Sequence, residues 1–199
     1  MNQEAQMKTN ASPLGVYRPR LSFYHPNAKG TGCSVKFALH PAHDNVDGSI
    51  WLSVANQKTV GDRRGPNPTF ARFDWENAIN VKLDFSDLCK ILQVLRGECE
   101  SIDDGRGLYH RSVKAATRIV FRHNVEPVQG YSLELYRVPS DGGTEQRAHI
   151  LFTAAEALGL CEAISNSLYI VGFGIPMLVA HDTSAYEQEK REAQNASVA

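Results

Sequence analysis

Flat rings and cations recur together in this chain, in segments whose residues alternate in polarity. In the segment from Ser34 to His40 the polar side carries Ser34, Lys36, Ala38 and His40, against Val35, Phe37 and Leu39. From Ser49 to Gln57, the residues Trp51, Ser53 and Gln57 oppose Ile50, Leu52 and Val54. Phe70, Arg72 and Asp74 fall on one side of the next segment, and Lys82 lies opposite Val81 and Leu83. In the second half Arg118 and Arg122 flank Val120, opposite Ile119 and Phe121, and Tyr136 and Arg137 close a later segment. Rings beside cations on one open surface can stack on unpaired bases while the cations track phosphates. That chemistry binds single-stranded nucleic acid with little regard for its sequence.

Each of these residues also has a plainer role. Trp51 is as well suited to a core or a subunit interface as to a base platform, because tryptophan is large and usually well buried. Trp75 reads as structural on the same tendency. Phe70 can be ordinary exposed apolar surface, and a lone lysine or arginine is ordinarily just solvated.

Charge distribution favours the binding reading. The chain has 199 residues, 21 Lys plus Arg and 22 Asp plus Glu, for a formal net charge of -1. That balance excludes a wholly basic nucleic-acid-binding protein but not a basic face. Lys58, Arg63, Arg64 and Arg72 are accompanied by one acid, Asp62; Arg111, Lys114, Arg118 and Arg122 are accompanied by none. Acids gather instead between Glu98 and Asp104 and in the C-terminal segment, where Glu187, Glu189 and Glu192 could compete with nucleic acid for the basic face.

The elements that must position these side chains are mostly strands. Hydrophobic residues at 42% and charged residues at 22% fit a soluble globular chain long enough to bury a core. Strands are predicted over 34–40, 49–57, 69–75 and 78–84, then a helix capped by Ser86, with Leu88, Ile91, Leu92 and Leu95 at helical spacing and Gly97 at its end. Strands over 108–113, 117–122, 131–138 and 147–152 follow. A second helix then starts at the capping box Thr153-Ala-Ala-Glu156 and buries Ala157, Leu160, Cys161, Ile164 and Leu168. The fold class is therefore α+β: two antiparallel four-stranded sheets, each followed by a helix, ββββα repeated. One helix covers one face of each sheet and leaves the other for solvent or a ligand. Residues 1–20 and 179–199 read as polar tails around a single domain spanning 21–178.

The order of short motifs resembles the plant Whirly family of single-stranded-DNA-binding proteins. Phe73-Asp-Trp75 leads into a strand and a helix ending at Gly97; Glu98-Cys-Glu-Ser101, Tyr109-His110, Gly130-Tyr131 and Ile150-Leu-Phe-Thr-Ala-Ala-Glu156 follow in order. Tyr24 and Lys29-Gly30 sit where that family has an aromatic residue and a Lys-Gly motif. Thr31-Gly-Cys33 then departs from its lysine and alanines, and the segment around Arg63 and Arg64 is an insertion. The resemblance covers roughly residues 21–175. It implies a non-enzymatic, cofactor-free homo-oligomer, a tetramer built by helix packing, that binds single-stranded DNA on exposed sheet faces. The interface is then expected among Lys29, Lys36, Trp51, Gln57, Lys58, Phe70, Arg72, Lys82, Arg118, Arg122, Tyr136 and Arg137. DNA protection, replication or repair, and transcription are the roles consistent with it. RNA is an alternative partner, since guide-RNA-binding proteins of mitochondria share the architecture. Nothing in the sequence separates RNA from DNA: stacking and phosphate contacts are indifferent to the 2′-hydroxyl unless a group is placed to read it.

Other classes have less support. His40-Pro-Ala-His43-Asp44 contains metal-ligating residue types, but no distant third ligand set accompanies it. Cys33, Cys89, Cys99 and Cys161 form no CxxC, and Cys89 and Cys161 lie on or beside apolar helix stripes, as inert thiols do. No phosphate loop, dinucleotide fingerprint or Gly-x-Ser-x-Gly is present. A protein-interaction module, with the sheets burying each other, is the remaining rival. No membrane span or leader is recognisable, so a cytoplasmic, nucleoid-associated or organellar setting is expected.

Overall fold

The computed structural model describes residues 19–42, 46–62, 64, 66–126 and 129–174. The sequence-derived tails therefore lie largely outside the described residues, as do Arg63, His43, Asp44 and the acidic C-terminal segment. The first sheet contains β1 (Arg20–His25), β2 (Cys33–His40), β3 (Ser49–Thr59) and β5 (Ile79–Leu83), all antiparallel, with β3 between β2 and β5. A two-residue strand, β4 (Arg72–Phe73), pairs with the far end of β3 across a register shift at Gln57/Thr59. The second sheet runs β6 (Leu108–Arg111), β7 (Ala115–Asn124), β8 (Gly130–Pro139) and β9 (Gln146–Phe152) in simple order. Helix α1 (Phe85–Leu95) follows the first sheet and α2 (Ala154–Phe173) follows the second.

Three local expectations need correction. The strand expected over 69–75 shrinks to Arg72–Phe73 because Thr69 is spent closing a loop: its amide donates to the Asp62 carbonyl at 2.6 Å and its hydroxyl accepts from the Asp62 amide at 3.0 Å. Sheet pairing starts only beyond that closure. Conversely, β1 has no counterpart among the expected strands; its alternating pair Leu21 and Phe23 is short and bracketed by Pro19 and Pro26. Helix α1 is capped by Asp84, not Ser86. The Asp84 carboxylate accepts from the Asp87 amide at 2.9 Å, and the Asp87 carboxylate accepts from the Asp84 amide at 3.1 Å. The reciprocal bonds satisfy amides that the first helical turn would otherwise leave without partners. At α2 the expected box forms, with the Glu156 amide donating to Thr153 Oγ1 at 3.2 Å and the Thr153 amide to Glu156 Oε2 at 2.9 Å.

One core joins the two halves. The inward residues of both sheets pack with Leu88, Ile91, Leu92 and Leu95 of α1 and Ala157, Leu160 and Ile164 of α2. Cys161 and Leu168, expected inside, are partly buried against it. The aromatic centre of the junction is Phe152, fully buried, with Phe23 from the first sheet at 5.2 Å and Phe121 from the second at 6.4 Å between ring centroids. Two histidines tie edges to helices: His25 Nε2 lies 2.7 Å from Glu156 and His110 Nε2 lies 3.2 Å from Asp87. Asp87 holds the His110 imidazole above its ordinary pKa, mainly by that hydrogen bond and against the opposing effect of burial.

Candidate nucleic-acid interface

With the core on one side, alternation fixes what the other side of each sheet displays. In the first sheet the pairing registers bring Arg20, Ala38, Trp51 and Lys82 into one row across four strands. The next row is Ser22, Lys36, Ser53 and Asn80. Trp51 is 39% exposed, whereas Ile50 and Leu52 beside it are buried, so its ring belongs to the open face. Its centroid is 6.1 Å from that of His40. Arg20, Lys36, Ala38, His40, Trp51 and Ser53 line an open depression of about 580 Å3.

Trp75, read from sequence as structural, contributes to the same side. The Lys36 ammonium sits 3.4 Å from the centre of its ring, a cation–π contact. Partial burial and the neighbouring Arg20 charge hold the Lys36 ammonium below its ordinary pKa. Phe70 is 72% exposed, but the ring brought onto the face is Phe73, opposite Gln57 in register and 5.9 Å from Tyr24. Arg72 is exposed at the end of the sheet, opposite Thr59. Lys58 is not a freely available cation, since its ammonium lies 3.6 Å from Glu76 and 4.0 Å from Asp74.

Gln57 needs a different role from the one expected. It is buried, and both ends of its amide are used: Oε1 accepts from the Asn27 and Gly32 amides at 2.9 and 3.1 Å, while Nε2 donates to the Asn27 and Thr59 carbonyls at 3.0 and 3.1 Å. Its task is to shape the loop between β1 and β2. A side chain on Gly32 would run into Gln57 and the His25 carbonyl, so the loop requires glycine there. Asn27 completes the turn by accepting from the Lys29 and Thr31 amides at 3.0 Å each. The loop thereby presents the exposed Lys29 on a fixed backbone.

The second sheet carries a more regular row. Tyr109, Arg118, Tyr136 and Arg147 lie opposite one another on β6, β7, β8 and β9, alternating ring and cation across the whole sheet. Tyr109 is 67% exposed. Arg118 donates to the carbonyls of Arg106 at 2.8 Å and Gly105 at 2.9 Å, fixing the turn before β6 as well as adding charge. The Arg147 guanidinium lies 5.4 Å from the Tyr136 ring centre and pairs with Glu145. Arg122 pairs with Glu134, which also accepts from the Tyr136 hydroxyl. Arg137 is not on this face. It alternates with Tyr136 and follows Leu133 and Leu135 on the side of the core.

Besides Trp75 and Phe73, the face residues absent from the sequence-derived set include Arg20, Tyr109 and Arg147 of the two rows. Arg20, Tyr109 and Arg147 each stand beside one inward apolar residue (Leu21, Leu108 and Ala148), too short an alternation to announce them, and only the long-range registers put them in a row. The two faces meet where Asn56 Nδ2 donates to the Arg147 carbonyl at 2.9 Å. Among the described residues no group of three or more His, Cys, Asp or Glu could hold a metal, and His43 and Asp44 lie outside them. All four cysteines are free; burial pushes the Cys33 thiol up to about 11. No described helix is long and apolar enough to cross a membrane.

Two antiparallel sheets on a shared core, with the helices packed on the core side and cation–aromatic rows on the opposite faces, define a double-sheet α+β fold. No protein-family model matches the sequence, and no curated protein matches it significantly. Solved structures do match in shape. WHY1 from Arabidopsis thaliana superposes with a TM-score of 0.61 at 14% identity, over 92% of this chain and 94% of that one. The plant transcriptional regulator PBF-2 gives 0.59 at 12% identity, over 86% and 97%. A guide-RNA-binding protein complex bound to a gRNA gives 0.55 at 19% identity, over 80% and 97%. The fold of this chain is the Whirly fold.

Proposed function

We propose that this protein binds single-stranded nucleic acid, DNA in the first instance, without catalysis and with little sequence preference. The observation that carries the reading is the pair of in-register rows, Arg20–Ala38–Trp51–Lys82 and Tyr109–Arg118–Tyr136–Arg147, on the open faces of two sheets. Duplex bases are stacked on each other and cannot use such rings; unpaired bases can. Structural likeness to a guide-RNA-binding complex and to a transcriptional regulator supports nucleic acid as the ligand class. The former makes RNA the second reading. Protection of exposed strands, replication or repair, and transcription are the processes that such binding would serve.

We further propose a homo-oligomer, tetrameric by helix packing. Over its 20 residues α2 carries only Glu156 and Glu162 as charges. Besides the stripe it buries, it leaves Leu158, Tyr169 and Phe173 64%, 57% and 79% exposed. A helix apolar on more than one side is suited to burial on more than one side.

Fluorescence anisotropy with a labelled single strand and the duplex of equal length, across a salt series, tests the function. The single strand should bind more tightly, with log affinity falling against log salt by roughly 0.7 for each phosphate neutralised. Equal affinity for the two forms, or no binding at low salt, contradicts the reading and leaves the interaction-module alternative.

A further inference from the structure

One pocket on the outer side of the second sheet has a chemistry that stacking and phosphate contact do not use. It is an open hollow of about 230 Å3, lined by the polar residues Thr31, Asn56, Glu134, Tyr136, Arg147 and His149 together with Ala148. It lies where the loop shaped by Gln57 meets β8 and β9, so both halves of the chain build it. Its size suits one planar base, below the roughly 300–1,000 Å3 of clefts for drug-sized ligands. The unexpected group in it is Glu134, a carboxylate facing outward between rings and cations where a phosphate binder gains nothing from an acid.

We propose that this pocket is a guanine subsite, in which Glu134 accepts hydrogen bonds from N1–H and the 2-amino group of one unpaired base. The proposal rests on the single-strand reading above and assigns a base preference within that same surface.

An ionised carboxylate only accepts, with about four lone-pair sites on its two oxygens. Arg122 uses one site on Oε1 and the Tyr136 hydroxyl one on Oε2, which orients the group and leaves an acceptor on each oxygen. Two adjacent acceptors match two adjacent donors. Guanine alone among the four DNA bases offers that pair on its Watson–Crick edge. Adenine and cytosine each place a ring acceptor beside their amino group, and thymine places a carbonyl on either side of its N–H. Burial opposes ionisation of Glu134, but the hydrogen bonds from Tyr136 and Arg122 outweigh it and hold the carboxyl below its ordinary pKa. The acceptor form is therefore the one present at neutral pH. His149, opposite Glu134 in register, and Arg147 supply donor groups on the lining that could meet the acceptors of the same base.

The test uses the full chain and oligothymidylates of about 16 nucleotides, the upper site size of a single-strand-binding module. Each carries one central dG, dI, dA, dC or dT and competes against labelled oligothymidylate at fixed salt. The dG strand should bind roughly tenfold more tightly than the dA strand, the scale of one bidentate pair. The dI strand, which lacks only the 2-amino group, should fall between them. In Glu134→Gln the dG-to-dA ratio should fall to about one. Binding of oligothymidylate with no preference for dG over dI and dA overturns the subsite and leaves the single-strand function standing. A dG preference that survives Glu134→Gln also overturns it. No binding of any oligonucleotide at low salt overturns both. The dG-to-dI comparison on the unaltered chain needs no variant to fold.

Discussion

Trp51→Ala is expected to weaken single-strand binding by about 1–3 kcal/mol, the scale of one lost base–aromatic stack and roughly a 5- to 150-fold rise in Kd. The indole is the only ring in its row, beside Lys82 on one strand and, across Ala38, in line with Arg20 on the other side, with Lys36 in the next row. Its removal leaves the cations, so the salt slope should persist while the affinity drops. Trp51→Phe keeps a flat ring and should retain most of the binding. The position is partly exposed and its side chain points away from the core, so the fold should survive the truncation. Anisotropy with a fixed oligonucleotide reads the effect. An unchanged Kd in a folded Trp51→Ala protein would remove Trp51 from the interface.

The second large effect is on stability. Phe152→Ala deletes a fully buried ring that touches Phe23 of the first sheet and Phe121 of the second. Removing a buried Phe side chain costs about 3–5 kcal/mol, from lost transfer energy and the cavity left behind. Domains have only about 5–15 kcal/mol in total, so the variant should unfold at markedly lower denaturant concentration. Phe152 also precedes Thr153, the cap of α2, and the loss should loosen the junction where both faces meet. Tyr109→Ala makes the contrast. That ring is 67% exposed, its truncation should change stability by no more than about 0.5 kcal/mol, and yet it should weaken binding. Denaturant unfolding of both variants decides this. Equal stability losses in the two would mean that the division into core and open face is wrong.

What the sequence carries about this interface is mostly the period of two. Val35, Phe37, Ile50, Leu52, Ile119 and Phe121 are buried where alternation puts them, and Lys36, Trp51, Lys82, Arg118 and Arg122 are on the opposite side. Alternation does not say which outward residue stands beside which. The row of Tyr109, Arg118, Tyr136 and Arg147 exists only through pairings between four strands, and Arg147 has no local neighbour that announces it. The neutralising partner of Arg122 is likewise hidden, since Glu134 is brought to it by the pairing of β7 with β8. Gln57 sits at the register shift of β3, and its amide is consumed by a loop some thirty residues earlier. Arg137 illustrates the limit of grouping adjacent residues: neighbours on one strand face opposite ways. β1 escapes sequence reading because two inward residues between prolines give too short a pattern to distinguish from a loop. The capping box of α2 is legible because Thr and Glu three apart both have the right chemistry. At α1 the same role falls to two aspartates, and Ser86 between them is a more conspicuous but unused candidate.

The central claim is that nucleic acid lies on the outer faces of the two sheets, and photocrosslinking tests it most directly. Full-length protein is irradiated with a single strand carrying halogenated uridines, and the attached peptides are identified by mass spectrometry. The expected sites are the rings of the two faces, Trp51, Trp75, Tyr109 and Tyr136. Crosslinks confined to Tyr169 and Phe173 on α2, with none on either sheet, would contradict the account and place the nucleic acid on the surface assigned here to self-association.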